Sequence, residues 1–208
     1  MEPDAVELRV VGCLVEKQRT TPDAYPLSLN ALRLACNQAT NRDPVVSYDE
    51  ETVSAALRRL AQRGWTRLAS GAGSRARKYR HLLPDALEVD DAELALLAVL
   101  MLRGAQTPGE LKQRSERLHA FPSLGAVQET LERLIEREMI VRQSRRPGQK
   151  EERYEQVLGG GGEVEEEKAE PGFLSPAVAA DDDRLAQLER ELQELRSEVA
   201  KLREALGD

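Results

Sequence analysis

Residues 53–63, VSAALRRLAQR, return 74 positions later as residues 127–137, VQETLERLIER, with Val, Leu, Arg, Leu and Arg at the same five places. Working outward, Lys78, Tyr79 and Leu83 answer Arg153, Tyr154 and Leu158 at an offset of 75, and Thr21-Pro22 answers Thr107-Pro108 at an offset of 86. A spacing that holds over so many positions marks one structural unit present twice in tandem. The offset falls from 86 to 74, so the first copy carries 12 extra residues ahead of its third helix. We place them in a polar loop around residues 37–46.

Each copy reads as three helices and a hairpin. In the first, Val6, Val10, Cys13, Leu14 and Lys17 share one helical face, and Ser28 is an N-cap for a second helix carrying Leu29, Leu32 and Cys36. A third helix is predicted to open on the capping box Ser47-Tyr48-Asp49-Glu50, to bury Val53, Leu57 and Leu60, and to stop at Gly64. Residues 65–69 and 77–83 then flank Gly71-Ala72-Gly73-Ser74, the pattern of two strands about a Gly-rich turn. In the second copy the first helix, residues 92–102, is apolar nearly all round, which predicts burial against the other copy as well as its own. Thr107-Pro108-Gly109-Glu110 joins a capping box to a proline at the first helical position. The third helix runs over about residues 123–138, and residues 140–144 and 153–158 flank Pro147-Gly148.

The fold class is therefore mainly α with small β-hairpins. Two tandem winged-helix (helix-turn-helix-like) domains, residues 1–84 and 85–158, precede a flexible acidic linker at 159–182 and a coiled-coil helix at 183–208. Aromatic residues make only 3% of the chain, so the core is aliphatic, as packed helices require. In the last segment Leu185, Leu188, Leu192, Leu195, Val199, Leu202 and Leu206 alternate spacings of three and four, the a and d positions of a coiled coil. Its g-to-e pairs, Glu191 with Arg196 and Glu198 with Arg203, attract. A weak homodimer through this helix is expected, with a helix folded back on its own body as the other reading.

Charge is unevenly distributed. The net charge is −7, but residues 159–208 hold 14 acids and six bases, which leaves residues 1–158 near neutrality. From position 58 to 80 stand Arg58, Arg59, Arg63, Arg67, Arg75, Arg77, Lys78 and Arg80 with no acid among them. Such a run on a third helix and wing suits contact with the phosphates of double-stranded DNA, with Arg58, Arg59, Arg63, Arg75, Arg77, Lys78 and Arg80 as the candidate residues. The alternative is a solvated basic face paired with acids elsewhere in the chain. Asp49, Glu50 and Glu51 at the start of the helix oppose an approach of that end to phosphate. Glu129, Glu132, Glu136 and Glu138 make the second copy's third helix acidic, so one domain is expected to bind and the other to support it. Asn37, Gln38, Thr40, Asn41 and Arg42 form a loop that either caps itself or meets a partner.

Catalysis finds no foothold. His81 and His119 lie in different copies, away from metal-ligand spacing with Cys13 or Cys36, so neither metal nor cofactor is expected. Gly71 and Gly73 precede no helix, which excludes a dinucleotide loop. The two cysteines sit in apolar patterns and are expected reduced and buried. The start of the chain lacks a basic leader, and the most apolar run, residues 94–102, is too short to span a bilayer. These features together describe a cytoplasmic, non-enzymatic protein without membrane contact.

Several stretches carry a family resemblance. Gly12-Cys13-Leu14, Glu16-Lys17-Gln18, Thr20-Thr21-Pro22, Tyr25-Pro26-Leu27-Ser28, Ala35-Cys36-Asn37-Gln38 and Thr40-Asn41-Arg42 belong to it, as do Ser70-Gly71 and Lys78-Tyr79. In the second copy residues 102–111 (LRGAQTPGEL) and Arg153-Tyr154 continue it. The sequence resembles the YceH family of bacterial proteins over about residues 5–158. That resemblance implies the tandem winged-helix fold, with no activity and no catalytic residues to carry over. Two functions remain from the residues themselves: a DNA-binding, transcription-regulator-like module using the basic helix and wing of the first domain, or a protein-interaction adaptor using winged-helix surfaces and the C-terminal helix.

Overall fold

Two acidic residues three positions apart start the first helix of each copy. In α1 (Ala5–Thr20) the carboxylate of Asp4 accepts from Glu7 N–H at 2.8 Å and Glu7 accepts from Asp4 N–H at 3.0 Å; in α5 (Asp91–Arg103) Asp90 and Glu93 repeat both bonds at 2.8 and 3.0 Å. These are capping boxes, each satisfying two otherwise orphaned N–H groups. The computed structural model describes residues 2–69, 77–143 and 151–159, which all fall in one compact unit.

The chain is mainly helical with two small antiparallel sheets. In the first copy α1 is followed by a 3-10 turn (Pro22–Ala24), β1 (Leu27–Ser28), α2 (Leu29–Cys36), α3 (Glu50–Gln62), β2 (Thr66–Leu68) and β3 (Lys78–His81). A connecting helix, α4 (Leu83–Leu87), leads to α5, α6 (Pro108–Ser115), α7 (Leu124–Glu136), β4 (Ile140–Gln143) and β5 (Arg153–Gln156). The first sheet runs β1-β3-β2, with Leu27 opposite Tyr79 and Thr66 opposite His81. In the second, β4 pairs with β5, and Gln106 bridges Tyr154 where Leu27 meets Tyr79 in the first.

The predicted helix starts hold at Ser28, Thr107 and Ser123, whose side chains accept from the third residue onward. At α3 the cap is Asp49, accepting from Thr52 N–H at 2.7 Å, rather than Ser47. An Asp two positions later has a stronger acceptor and brings its charge to the positive end of the helix. The 12 extra residues are also divided differently. The N-caps of the first, second and third helices correspond at offsets of 86, 79 and 74, so seven lie between α1 and α2 and five between α2 and α3. Thr21-Pro22 starts the 3-10 turn, and Ser28 is the true counterpart of Thr107.

The helices enclose an aliphatic core. Val10, Cys13 and Leu14 of α1, Leu32 and Cys36 of α2, and Val53 and Leu60 of α3 are fully buried in the first copy; Leu97, Leu111, Val127 and Leu134 are among their counterparts in the second. Residues 93–102 are buried all round α5, as its composition predicts, because α5 packs against α1 on one side and α6 and α7 on others. At the α1–α5 crossing Gly12 lies so close that a Cβ would come within 3.1 Å of Leu102. After each third helix the chain turns through a left-handed residue, Gly64 (φ 75°) in the first copy and Glu138 (φ 55°) in the second. Trp65 N–H and Met139 N–H then bond back to Leu60 and Leu134 at 2.9 and 3.0 Å.

The capping carboxylates also bind the third helices. Arg59 Nε and Arg63 Nε lie 3.2 Å from the two oxygens of Glu7; Arg133 Nε and Arg137 Nη1 lie 3.3 and 3.2 Å from those of Glu93. Arg59 and Arg133 reach Asp4 and Asp90 as well, at 2.6 and 3.1 Å. Glu7 and Glu93 are 1% and 4% exposed, so removing either charge leaves two guanidinium groups facing a dry, uncompensated site. E7Q and E93Q should each cost about 2 kcal/mol by urea denaturation, whereas R58Q on the exposed face should change stability by under about 0.5 kcal/mol; equal, small effects for all three would remove this pairing from the account.

Candidate functional site

The basic run is divided by helical geometry. Arg59 and Arg63, one turn apart on α3, face Glu7 and the N-terminal segment, where Arg63 also donates to the Glu2 carbonyl at 2.7 Å. Ser54, Arg58 and Ala61 occupy a different face and line a groove of about 220 Å³ between α3 and the first hairpin. Arg67, Arg77 and Tyr79 form its strand side, with Leu57 and Leu68 supplying apolar surface, and among the described residues no acid lines it. Arg58 donates to Ser54 Oγ at 3.2 Å, a contact that leaves its charge unneutralised.

Lys78 is exposed beside the groove. Arg80 sits directly opposite Arg67 across the β2–β3 ladder, and its Nε is buried with no hydrogen-bond partner among the described residues. Arg75 lies outside the described residues. Of the seven candidates, Arg58 and Arg77 meet in the groove, Lys78 flanks it, Arg80 lies on the same ribbon, and Arg59 and Arg63 are held by the packing of α3 on α1. Arg67, Ser54 and Tyr79 join the groove. Arg67 is visible as part of the charge run and Tyr79 as a repeated residue, though not as a groove residue; Ser54 carries no local signal.

The second copy offers no equivalent. Glu129, Glu132 and Glu136 are exposed on α7, Arg142 lies 5.7 Å over the Tyr154 ring and 3.5 Å from Glu152, and Arg153 donates to Ala105 O at 2.8 Å and pairs with Glu110 at 3.1 Å. Arg145, Arg146 and Lys150 of the second hairpin lie outside the described residues, as do the linker from residue 160 onward and the heptad leucines.

The polar loop satisfies itself and fastens the two copies. Asn37 Nδ2 donates to Tyr48 O and its Oδ1 accepts from Tyr48 N–H, both at 2.8 Å. Arg42, 6% exposed, donates to both carboxylate oxygens of Glu16 at 3.0 and 2.6 Å, to Ala35 O at 3.1 Å and to Gln38 Oε1 at 3.0 Å. Burial resists ionisation of Glu16, but the Arg42 bonds and charge, helped by Lys17, hold its carboxyl below the ordinary value. Asn41, in the left-handed region, accepts from Arg103 of α5, and Asp43 N–H bonds to Leu102 O at 2.9 Å. Thr40 alone of the five points of interest is exposed without a hydrogen bond.

Neither histidine faces a metal-like cluster. Among the described residues no group of three His, Cys, Asp or Glu side chains converges, and no helix is long and apolar enough to cross a membrane. Cys13 and Cys36 are buried and unbridged. His119 packs edge-on against Phe121. His81 is buried, with Nε2 2.6 Å from Gln18 Oε1 and Nδ1 accepting from Leu83 N–H at 3.4 Å. These partners fit the neutral ring.

This arrangement, helices and hairpins in duplicate locked by matched Glu–Arg clamps, defines a class of two-copy, mainly helical proteins. Residues 4–149 match the family described as "Protein of unknown function, DUF480". A UPF0502 protein of Pelobacter propionicus is 46% identical over 206 residues, covering 97% of this chain and 94% of its own; one of Solibacter usitatus is 48% identical over 193 residues, covering 93% and 92%. The UPF0502 protein YceH of Salmonella paratyphi B is 42% identical over 212 residues, covering 99% and 94%. The chain belongs to this family, the YceH family.

Burial of His81, reinforced by the charges of Arg19 and Arg80, lowers its pKa from 6.5 to about 4. The fold therefore favours the neutral ring: its contribution is complete above pH 6.5 and is lost as pH falls toward 4, because the unfolded chain takes up a proton that the folded chain refuses. Stability should drop by about 2 kcal/mol between about pH 7 and pH 5, and H81Q should flatten this interval. Urea midpoints of both proteins across the range check it; an unchanged slope in H81Q would clear His81 of the effect.

Proposed function

We propose that this protein is a tandem winged-helix, DNA-binding regulator that contacts duplex phosphates through the groove between α3 and the first hairpin. The observation that carries this reading is the convergence of Arg58, Arg67 and Arg77 in a groove that no acid lines among the described residues, beside the exposed Lys78. The element order supports it: helix, short strand, two helices and a hairpin, with β1 added to the edge of the hairpin, is the plan of a winged helix. The acids at 49–51 cap the start of α3, so the approach to phosphate runs through the later half of the helix and the ribbon. The heptad leucines at 185–206 support a dimer that presents two such grooves to one duplex. The exposed acids of α7 favour a second reading in which that face meets a basic protein partner.

Neutralising about four to six phosphates should give a log–log salt slope near −4 to −5. Replacing Arg58, Arg77 and Lys78 by Glu should abolish a duplex gel shift while leaving the circular dichroism spectrum unchanged; undiminished binding would remove the groove from the proposal and leave the adaptor. Independently, the full chain should sediment as a concentration-dependent dimer near 100 µM, and L192D/L195D should return it to monomer, because charge in an a/d seam has no partner. A monomeric wild type at that concentration would sink the dimer.

A further inference from the structure

The first copy's loop and the second copy's helices enclose a second polar surface, far in sequence from the basic run. One cavity of about 340 Å³ lies among Glu16 and Thr20 of α1, Arg103 of α5, and Gln113, Arg114 and Arg117 of the α6 region, with Val99, Leu102 and Leu118 as its apolar wall. A second, of about 260 Å³, adjoins it, sharing Asn41, Arg103 and Arg114 and adding Gln106 and Arg153. Together they have the volume of an ordinary small-ligand site.

The charge balance of this cleft is positive: Arg42, Arg103, Arg114, Arg117 and Arg153 line it against Glu16, Asp43 and Glu110. Glu16 is neutralised by the two-pronged bond from Arg42, and Glu110 is shared between Arg114 at 3.3 Å and Arg153 at 3.1 Å. Arg103 has only the neutral amide of Asn41 as a side-chain partner, and Arg117 and Gln113 make no hydrogen bond or ion pair among the described residues. Burial and the like charge of Arg114, with that of Arg42, push the Arg103 guanidinium below its ordinary value against the opposing charges of Glu16 and Glu110. Gln106, 3% exposed, braces the main chain beside Arg103, its amide nitrogen donating to Arg103 O and Ala105 O at 2.9 Å.

We infer that the cleft between the 37–46 loop and α5–α6 binds a small organic anion, its carboxylate or phosphate held by Arg103 and Arg117. Guanidinium groups suit both oxyanions, because their planar N–H pairs match two oxygens at once. The apolar wall accepts the carbon skeleton. This site draws on both copies and does not depend on the nucleic-acid reading.

Calorimetric titration of the full chain with inorganic phosphate and with succinate, each against chloride at matched ionic strength, tests the inference and separates the two oxyanions. At least one probe should bind saturably. R117Q, which alters an exposed side chain with no partner among the described residues, should weaken that probe about tenfold, and D85N, at an exposed position of α4, should leave it unchanged. R103K, retaining charge but losing the planar fork, should weaken it too. Failure of both probes to saturate above the chloride control, or R117Q binding as well as wild type, would overturn the site. Loss of duplex binding in R117Q without saturation by either probe would assign these arginines to the nucleic-acid surface and overturn it as well.

Discussion

A carboxylate at the third position of a helix, nearly dry and gripped by two arginines from another helix, sets the geometry of each copy. Glu7 closes a capping box on α1 and at the same time orients α3 through Arg59 and Arg63. Glu93 does the same for α5 and α7. A buried ion pair adds little net stability compared with apolar packing, but it penalises every arrangement that leaves one charge alone. Here it fixes both the start of one helix and the rotation of another about its axis. That rotation decides which face of α3 remains free, and hence that Ser54, Arg58 and Ala61 border the groove.

The same constraint explains what the sequence showed and what it concealed. The repeat of Arg59 and Arg63 at Arg133 and Arg137 was plain, but their acid partners at 4, 7, 90 and 93 carried no local signal, because the pairing joins residues 40 or more positions apart. Read locally, the two arginines belong to a basic run; read with their repeats, they belong to the core. Helix existence followed directly from apolar periodicity and from caps at Ser28, Thr107 and Ser123. The division of the 12 extra residues did not, because Thr-Pro occurs at both Thr21 and Thr107 but starts a 3-10 turn at one and an α-helix at the other. β1, only two residues long, has no periodicity to detect; its partner in the other copy is reduced to the single bridge at Gln106.

The polar loop illustrates a different limit. Its composition announced unusual hydrogen-bonding capacity, and the bonds from Asn37 and Arg42 account for much of it within the protein. The anchor that carries the loop across to the second copy, from Asp43 N–H to Leu102 O, involves the main chain and leaves no mark on residue type. The arginines of the adjoining cleft likewise come from separate helices, and only the fold brings them together. Charge runs reveal a site when its residues are consecutive; concave sites built from distant turns require the tertiary structure.

The close crossing of α1 and α5 at Gly12 has a consequence for the order in which the chain becomes a protein. Residues 1–84 emerge from the ribosome before α5 does, so the side of α1 that carries Gly12 stands uncovered while the first three helices and their hairpin are already available to fold. The nascent first half thus has a core of its own and an apolar seam without its cover. Growth through residue 103 supplies the helix that fits this seam, and α5 in turn needs α6 and α7 to cover its remaining sides. Maturation consequently runs as a relay from one copy to the next, with the interval between them the stage at which an unprotected chain is most exposed to association with its neighbours.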